Sequence, residues 1–165
     1  MMRNNRLLEL LSKYNLKLST AESCTGGLVA ATICDISGIS SFFEEGYITY
    51  SENAKCKNLG VLPETIAHYG VVSCEVAEEM AMGAAERANA DCAIATTGFA
   101  GPTGGTLENP VGTVCFACVV KNQVLTERMI FEGNRTEVRK QATMYAIEML
   151  CDYIEFCYEN DTEEV

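Results

Sequence analysis

Ser23 lies in the segment TAESCTGG, residues 20–27, where a threonine and two glycines follow it closely. A serine becomes a nucleophile when a neighbouring base takes its proton. Residues 16–22 indicate a strand, and we expect a helix to begin near Ser23. Free backbone N–H groups and the positive end of that helix would favour negative charge there. The segment therefore allows two interpretations: a nucleophilic serine, or a serine that only caps the helix.

Two residues could act as the base for Ser23. His68 is the single histidine of the chain, but it precedes Gly70 at the expected end of a short helix, where a histidine often complements the C-terminal dipole. Lys55 could act as in Ser–Lys variants of the catalytic triad. It must first lose its proton, and burial or a position near a helix start lowers the pKa of a lysine. Tyr50, at the end of the preceding strand, could relay a proton or orient Lys55; the alternative is a solvated Lys55 and a tyrosine of the core.

A glycine-rich loop and an arginine are the candidates for holding a ligand. The loop TTGFAGPTGG, residues 96–105, begins at the end of a buried strand, and its glycines allow the backbone to approach a ligand closely. It lacks the lysine of a phosphate-binding loop and the spacing of a dinucleotide-binding loop. Arg135 falls at about the first position of the last helix, where an arginine beside free N–H groups makes an anion site. The alternatives are a long surface turn and a solvated Arg135 paired with a glutamate.

The charge of the chain limits what it can bind. The formal net charge is -11 over 165 residues, which argues against the clustered positive charge of a nucleic-acid-binding surface. An anionic ligand must therefore be met by a local positive site. No apolar run reaches the roughly 18 residues of a membrane span, and the N-terminus lacks the features of a secretory signal. We expect a cytoplasmic protein with no membrane or nucleic-acid partner.

The nine cysteines form no pattern typical of a disulfide framework, because their number is odd and their spacing irregular. Cys115 and Cys118 lie three apart in a predicted strand, so their side chains point to opposite faces and we expect no metal or redox site there. Cys24, next to Ser23, is the candidate nucleophile of an alternative cysteine enzyme, although a neighbour of Ser23 at a helix start normally points elsewhere. We interpret most of the cysteines as small buried residues in a reducing compartment.

Helix and strand signals alternate along the chain, which predicts one α/β domain over residues 1–165 with helices on both faces of a mixed sheet. Its acidic end, residues 158–165, is predicted to be frayed. Ser51, Ser73 and the pair Asn134 and Glu137 are predicted to cap helices. Ligands of such folds bind outside the carboxyl ends of the strands. The polar or glycine-rich segments 23–27, 50–55 and 97–105 each follow a strand, so the sheet could bring them together.

Several segments taken together resemble the C-terminal domain of the competence-damage protein family CinA: TAESCTGGLVAA, FFEEGYITYSENAK, GVVSCEVAEEMAMGA, TTGFAGPTGG followed by NPVGTV, and GNRTEVRKQAT. The resemblance covers roughly residues 5–155. It implies a three-layer α/β/α fold with a mixed, mostly parallel sheet. Stand-alone members of the family are nicotinamide mononucleotide amidohydrolases. The resemblance therefore implies hydrolysis of nicotinamide mononucleotide to nicotinate mononucleotide and ammonia, in pyridine nucleotide recycling.

The resemblance also implies roles for particular residues. Ser23 matches the family's nucleophile, Lys55 its base and Tyr50 an assisting tyrosine. The substrate-binding positions that match or accompany the family's motifs are Thr25, Gly26, Gly27, Thr97, Gly98, Gly101 and Arg135. The implied partner is a small nucleotide, with no metal or organic cofactor, and the implied assembly is a homodimer.

Some positions depart from the family's pattern. Asn134 stands where members often have aspartate, and asparagine still caps a helix. Phe99 and Thr103 replace residues that are commonly smaller, which affects the fit of a substrate. Some domains of the family are not active deamidases, so the alternative function is a non-catalytic, regulatory nucleotide-binding module. The presence of the Ser–Tyr–Lys set favours activity.

Overall fold

The structure, a computed structural model, describes residues 3–159. Its strands are β1 (Leu18–Glu22), β2 (Phe43–Ile48), β3 (Cys92–Gly98), β4 (Thr113–Val120) and β5 (Gln123–Ile130). Its α-helices are α1 (Arg3–Tyr14), α2 (Leu28–Cys34), α3 (Glu52–Leu59), α4 (Pro63–Tyr69), α5 (Cys74–Ala88) and α6 (Arg135–Glu159). Tyr158 and Glu159 thus belong to α6, and the rest of the predicted frayed tail, residues 160–165, lies outside the described residues.

The five strands form one mixed sheet in the order β2-β1-β3-β4-β5. β1 is parallel to both β2 and β3, whereas β4 is antiparallel to β3 and to β5. Four of the five strands therefore run in the same direction, and only β4 is reversed. The carboxyl ends of β1, β2 and β3 consequently meet at one edge of the sheet, as a ligand site of an α/β fold requires.

Helices cover both faces of the sheet and make three layers. The apolar sides of α1, α2 and α6 pack on one face, and α3, α4 and α5 pack on the other. Cys118 belongs to the first of these clusters and Cys115 to the second, so the prediction that their side chains diverge is confirmed. None of the helices over residues 3–159 is long and apolar enough to cross a membrane.

The predicted helix caps are confirmed. The hydroxyl of Ser51 accepts the N–H of Ala54 at 3.1 Å, and the hydroxyl of Ser73 accepts that of Val76 at 3.2 Å. At the start of α6, Asn134 and Glu137 each accept the backbone N–H of the other, at 3.0 and 2.7 Å. These reciprocal bonds form a capping box and fix the position of Arg135 beside them.

The prediction that a helix begins near Ser23 is wrong, because α2 begins only at Leu28. Gly26 and Gly27 both have positive φ, +58° and +99°, and this left-handed conformation does not fit a right-handed helix. The helix is capped instead by the carboxylate of Glu22, which accepts the N–H groups of Val29 at 2.8 Å and Ala30 at 3.0 Å. Ser23 therefore lies in a turn between β1 and α2 and does not cap the helix.

Candidate active site

The ends of three neighbouring strands bring the predicted site segments together. Ser23 follows β1 and Tyr50 lies two residues beyond β2. The N–H of Ser23 donates to the carbonyl of Thr96 at 3.0 Å, and the N–H of Thr49 donates to that of Glu22 at 2.9 Å, so these ends are bonded to one another. Beside them is a cavity of about 400 Å³, a size typical of small-molecule sites.

Most of the predicted site residues line this cavity: Ser23, Tyr50, Lys55, Thr97, Gly98, Gly101 and Arg135. Thr25, Gly26 and Gly27 are not among the described residues of the lining. Thr25 is fully buried, and its hydroxyl bonds to Glu22 at 2.7 Å and to Thr96 at 2.8 Å. Thr25 thus holds the turn in place by its bonds to Glu22 and Thr96.

His68 lies outside this cavity. It is exposed near the end of α4, where its ring meets Tyr69 edge to face, and it is not among the described residues that line the cavity with Ser23. The arrangement leaves no role for His68 as the base of Ser23.

Lys55 meets Ser23 inside the protein. Its Nζ donates to Ser23 Oγ at 2.9 Å and to the carbonyl of Thr49 at 2.7 Å, with the carbonyl of Tyr50 further away at 3.4 Å. Lys55 is fully buried, while Ser23 keeps 8% of its surface exposed at the cavity. Two of the three acceptors around Nζ are backbone carbonyls, whose positions are fixed by the end of β2, so the amine is held in one place.

Burial changes the acidity of Lys55. Removal from water disfavours the ammonium form and lowers the pKa of Lys55 from 10.5 to about 8, although Cys24 and Glu52 act in the opposite direction. A substantial fraction of Lys55 is therefore neutral near pH 8, which a general base requires.

Burial has the opposite consequence for the thiol of Cys24. Removal from water raises the pKa of Cys24 to about 12, and the nearby Lys55 offsets only part of this rise. Because the thiolate is the nucleophilic form of cysteine, Cys24 is a poor nucleophile at neutral pH. The arrangement favours the serine over the cysteine of this turn.

Tyr50 and Arg135 form the outer side of the cavity. Arg135 donates to the hydroxyl of Tyr50 at 2.9 Å and to the carbonyl of Gly101 at 2.8 Å. Tyr50 is 60% exposed, and only its backbone carbonyl approaches the amine of Lys55. The guanidinium thus connects the glycine-rich loop to Tyr50 and brings a positive charge to the opening of the cavity.

The glycine-rich loop completes the lining. Thr97 is buried, and its hydroxyl donates to the carbonyl of Val71 at 2.9 Å, which leaves its oxygen able to accept a bond from a ligand. Phe99 and Thr103, the two positions that depart from the family's pattern, both line the cavity. These two side chains therefore take part in the fit of any ligand.

A comparison with known protein families shows to which of them this chain belongs. The model of the family described as "CinA C-terminal domain" matches residues 2–154. The chain belongs to the CinA family. The resemblance seen in the sequence motifs is thereby confirmed over nearly the whole chain.

Relatives within the CinA family differ in length. The Nicotinamide-nucleotide amidohydrolase PncC of Escherichia coli K12 is 48% identical over 143 residues, which cover 86% of this chain and 87% of that protein. A CinA-like protein of Geobacter sp. strain M21 is 47% identical over 151 residues, 92% of this chain but only 36% of that protein. The chain thus spans about a third of the longer relatives and most of PncC.

Solved CinA-family structures share the fold. A CinA superfamily protein from Klebsiella pneumoniae 700603 superposes with a TM-score of 0.90 at 38% identity, covering 94% of this chain and 97% of that chain. The competence/damage inducible protein CihA from Agrobacterium tumefaciens gives a TM-score of 0.87 at 42% identity, with 90% and 92% covered. The predicted three-layer α/β/α fold is confirmed.

Two residues of this CinA-family site were missed in the sequence. Glu22 caps α2 as described above, and Arg139 donates from α6 to the carbonyls of Cys24 at 3.0 Å and Thr25 at 2.9 Å. One signal was available for Arg139, because it lies four residues after Arg135 and so on the same side of the last helix. Glu22 gave a weaker signal, as an acidic residue at the end of a strand that is otherwise uncharged.

Proposed function

We propose that the chain is a nicotinamide-nucleotide amidohydrolase, which hydrolyses nicotinamide mononucleotide to nicotinate mononucleotide and ammonia. The observation that carries the proposal is the 2.9 Å contact between the buried amine of Lys55 and the hydroxyl of Ser23 at the wall of a ligand-sized cavity. The name of the E. coli relative, which this chain matches over most of both lengths, supports the choice of substrate.

In the proposed acylation step, neutral Lys55 takes the proton of Ser23 as the serine oxygen attacks the carboxamide carbon. A C–O bond forms and the carbonyl electron pair moves onto oxygen, which gives a tetrahedral oxyanion. The pair then returns, the C–N bond breaks, and Lys55 gives its proton to the leaving nitrogen. Ammonia departs and an ester to Ser23 remains.

Water reverses the sequence in the deacylation step. Lys55 takes a proton from the attacking water, the ester oxygen of Ser23 leaves, and Lys55 returns the proton to it. One amide and one water have then become one acid and one ammonia, and both residues are back in their starting forms. The same amine thus serves both half-reactions, as in other Ser–Lys enzymes.

Arg135 and Tyr50 are proposed to hold the nucleotide part of the substrate. A guanidinium at the opening of the cavity suits a phosphate because it can form paired charge-assisted bonds. Since the hydroxyl of Tyr50 accepts from Arg135, its own hydrogen remains able to donate to the substrate. In a chain of net charge -11, this local cation fits one anionic nucleotide better than a nucleic-acid polymer.

Two finer expectations accompany the proposal. The product retains its ribose and phosphate, so we assign the reaction to pyridine nucleotide recycling. We also expect a homodimer in the cytoplasm. Light scattering of the purified protein measures its oligomeric state directly.

Ammonia release from a panel of amides tests the function. Nicotinamide mononucleotide, nicotinamide and an unrelated amide such as glutamine are compared at equal concentration, and we expect release from the mononucleotide far above the other two. The alternative is a regulatory module that binds the mononucleotide without hydrolysing it. Calorimetric binding without ammonia release by the wild type would favour that alternative and reject the enzyme.

A further inference from the structure

The oxyanion formed during amide hydrolysis needs a hydrogen-bond donor, and the turn that carries Ser23 offers one. The carbonyl of Ser23 accepts the N–H of Gly26 at 3.0 Å, so this carbonyl points into the turn. Because the peptide unit is planar and trans, the N–H of Cys24 points in the opposite direction, out of the turn. Cys24 lines the same cavity as Ser23 and Lys55, and within residues 3–159 its N–H donates to no backbone carbonyl.

Arg139 fixes this turn from behind. Its Nε donates to the carbonyl of Cys24 at 3.0 Å and its Nη2 to the carbonyl of Thr25 at 2.9 Å. Arg139 comes from α6 and is not among the described residues of the cavity lining, so it approaches the turn from outside the cavity. The planar fork of a guanidinium can bond two acceptors at fixed positions, and here it holds two successive peptide units.

Gly26 shows how closely the turn and Arg139 approach each other. A Cβ at this position would lie 3.1 Å from Arg139 Nη2, and the residue has the left-handed φ of +58° that favours glycine. A side chain would therefore strain the backbone and press on the guanidinium. The structure explains this glycine by the contact with Arg139.

We propose that the N–H of Cys24 binds the oxyanion of the tetrahedral intermediate, and that Arg139 is a positioning residue that aims this N–H and the Ser23 hydroxyl into the cavity. The inference rests on the proposed amidohydrolase function. A fixed donor of this kind stabilises charge that exists only along the reaction path, so it raises kcat more than it tightens binding. The N–H of the residue after a nucleophilic serine serves this purpose in α/β-hydrolases, which have a different fold.

Removal of the N–H tests the donor. Cys24→Pro deletes it, and proline suits the second position of a four-residue turn, where φ is near -65°. The reference is Cys24→Ala, which also lacks the thiol but keeps the N–H. We expect kcat for ammonia release to be about 10²- to 10³-fold lower in Cys24→Pro than in Cys24→Ala, with similar affinity for the product, nicotinate mononucleotide. Equal kcat in the two folded variants overturns the assignment.

Arg139 is tested separately, which also decides the matter if Cys24→Pro does not fold. Arg139→Met removes both donors, and Lys140→Met, which removes a positive charge from the next position of α6, is the matched control. We expect kcat to fall about 100-fold in Arg139→Met because the turn loses its fixed position, and to stay at the wild-type value in Lys140→Met. Arg139→Ala also removes the guanidinium group, and added guanidinium ion should restore part of the kcat that this variant loses.

The split between kcat and product affinity distinguishes positioning from a merely structural role. Wild-type kcat in Arg139→Met overturns the inference, and so does an equal loss of kcat and of affinity for nicotinate mononucleotide. Measurements on the wild type distinguish a failure of this inference from a failure of the proposed amidohydrolase function. Wild-type protein that binds nicotinamide mononucleotide but releases no ammonia overturns both, whereas an active wild type with a fast, folded Cys24→Pro overturns only the oxyanion assignment.

Discussion

Lys55 Nζ lies 2.9 Å from Ser23 Oγ, although the two residues are 32 positions apart in the chain. The amine is fully buried, and no carboxylate within residues 3–159 lies at salt-bridge distance from it. Burial of an ammonium without an opposite charge favours its neutral form. The pair therefore places a serine hydroxyl beside an amine whose pKa is lowered to about 8.

The pH dependence of turnover should follow the protonation of Lys55. The base must be neutral and the pKa of Lys55 is lowered to about 8, so kcat/KM for the mononucleotide should rise with pH through about 8 and level off above it. Lys55→Arg should be inactive throughout, because a guanidinium does not lose its proton in this range. Initial rates between pH 6 and 10 measure the profile. A rate that is flat or falling from pH 7 to 9 would contradict this role.

Replacement of Lys55 should leave the fold at least as stable as before. Because the pKa of Lys55 is lowered in the folded protein, the unfolded chain binds more protons between about 8 and 10.5, and stability rises with pH across that window. Below pH 8 the buried ammonium destabilises the fold. Lys55→Met removes this cost, which reaches about 3 kcal/mol at pH 7. It also removes the hydrogen bond of Nζ to the carbonyl of Thr49, which opposes the gain by about 1–3 kcal/mol, so we expect the free energy of unfolding at pH 7 not to fall.

Urea unfolding at pH 7 and pH 10 measures this effect, with the wild type alongside. The difference in stability between Lys55→Met and the wild type should shrink at the higher pH, because both proteins then bury a neutral side chain. A Lys55→Met variant that is much less stable than the wild type at pH 7 would identify Lys55 as a structural residue.

Arg135 should contribute to the binding of substrates that carry a phosphate. Arg135→Met is expected to lower kcat/KM for nicotinamide mononucleotide about 10- to 100-fold, which corresponds to the loss of a hydrogen bond to a charged group. Nicotinamide riboside lacks the phosphate, so its kcat/KM should change little. Arg6→Met, which removes an arginine bonded to Asp152 and Glu155 on α6, is the control. Equal losses on both substrates would show that Arg135 does not bind the phosphate.

The sequence predicted the layers of the fold and the approach of the site segments well, because both depend on local patterns. Ser51 and Ser73 are ordinary caps, and segments that follow parallel strands meet at one edge of the sheet whatever the details of packing. The start of α2 could not be predicted in the same way. The carboxylate of Glu22, which precedes the turn, caps this helix, and two left-handed glycines delay its start.

The burial of Lys55 could not be predicted either. Its helix, ENAKCKNL, has the composition of a solvated surface helix, and only the packing of α3 against α5 and the end of β2 removes this one amine from water. Arg139, in the second turn of α6, was missed for a related reason, since an arginine within a helix is commonly solvated. Both side chains acquire these surroundings from segments distant in the chain.

The most direct test of the account is ammonia release from nicotinamide mononucleotide by the wild type, by Ser23→Ala and by Ser40→Ala, a variant of an exposed serine. Circular dichroism and binding of nicotinate mononucleotide confirm that each variant is folded. We predict that Ser40→Ala matches the wild type and that Ser23→Ala is slower by at least about 10³-fold, as for other catalytic serines. A folded Ser23→Ala variant that releases ammonia within tenfold of the wild-type rate would contradict the serine mechanism.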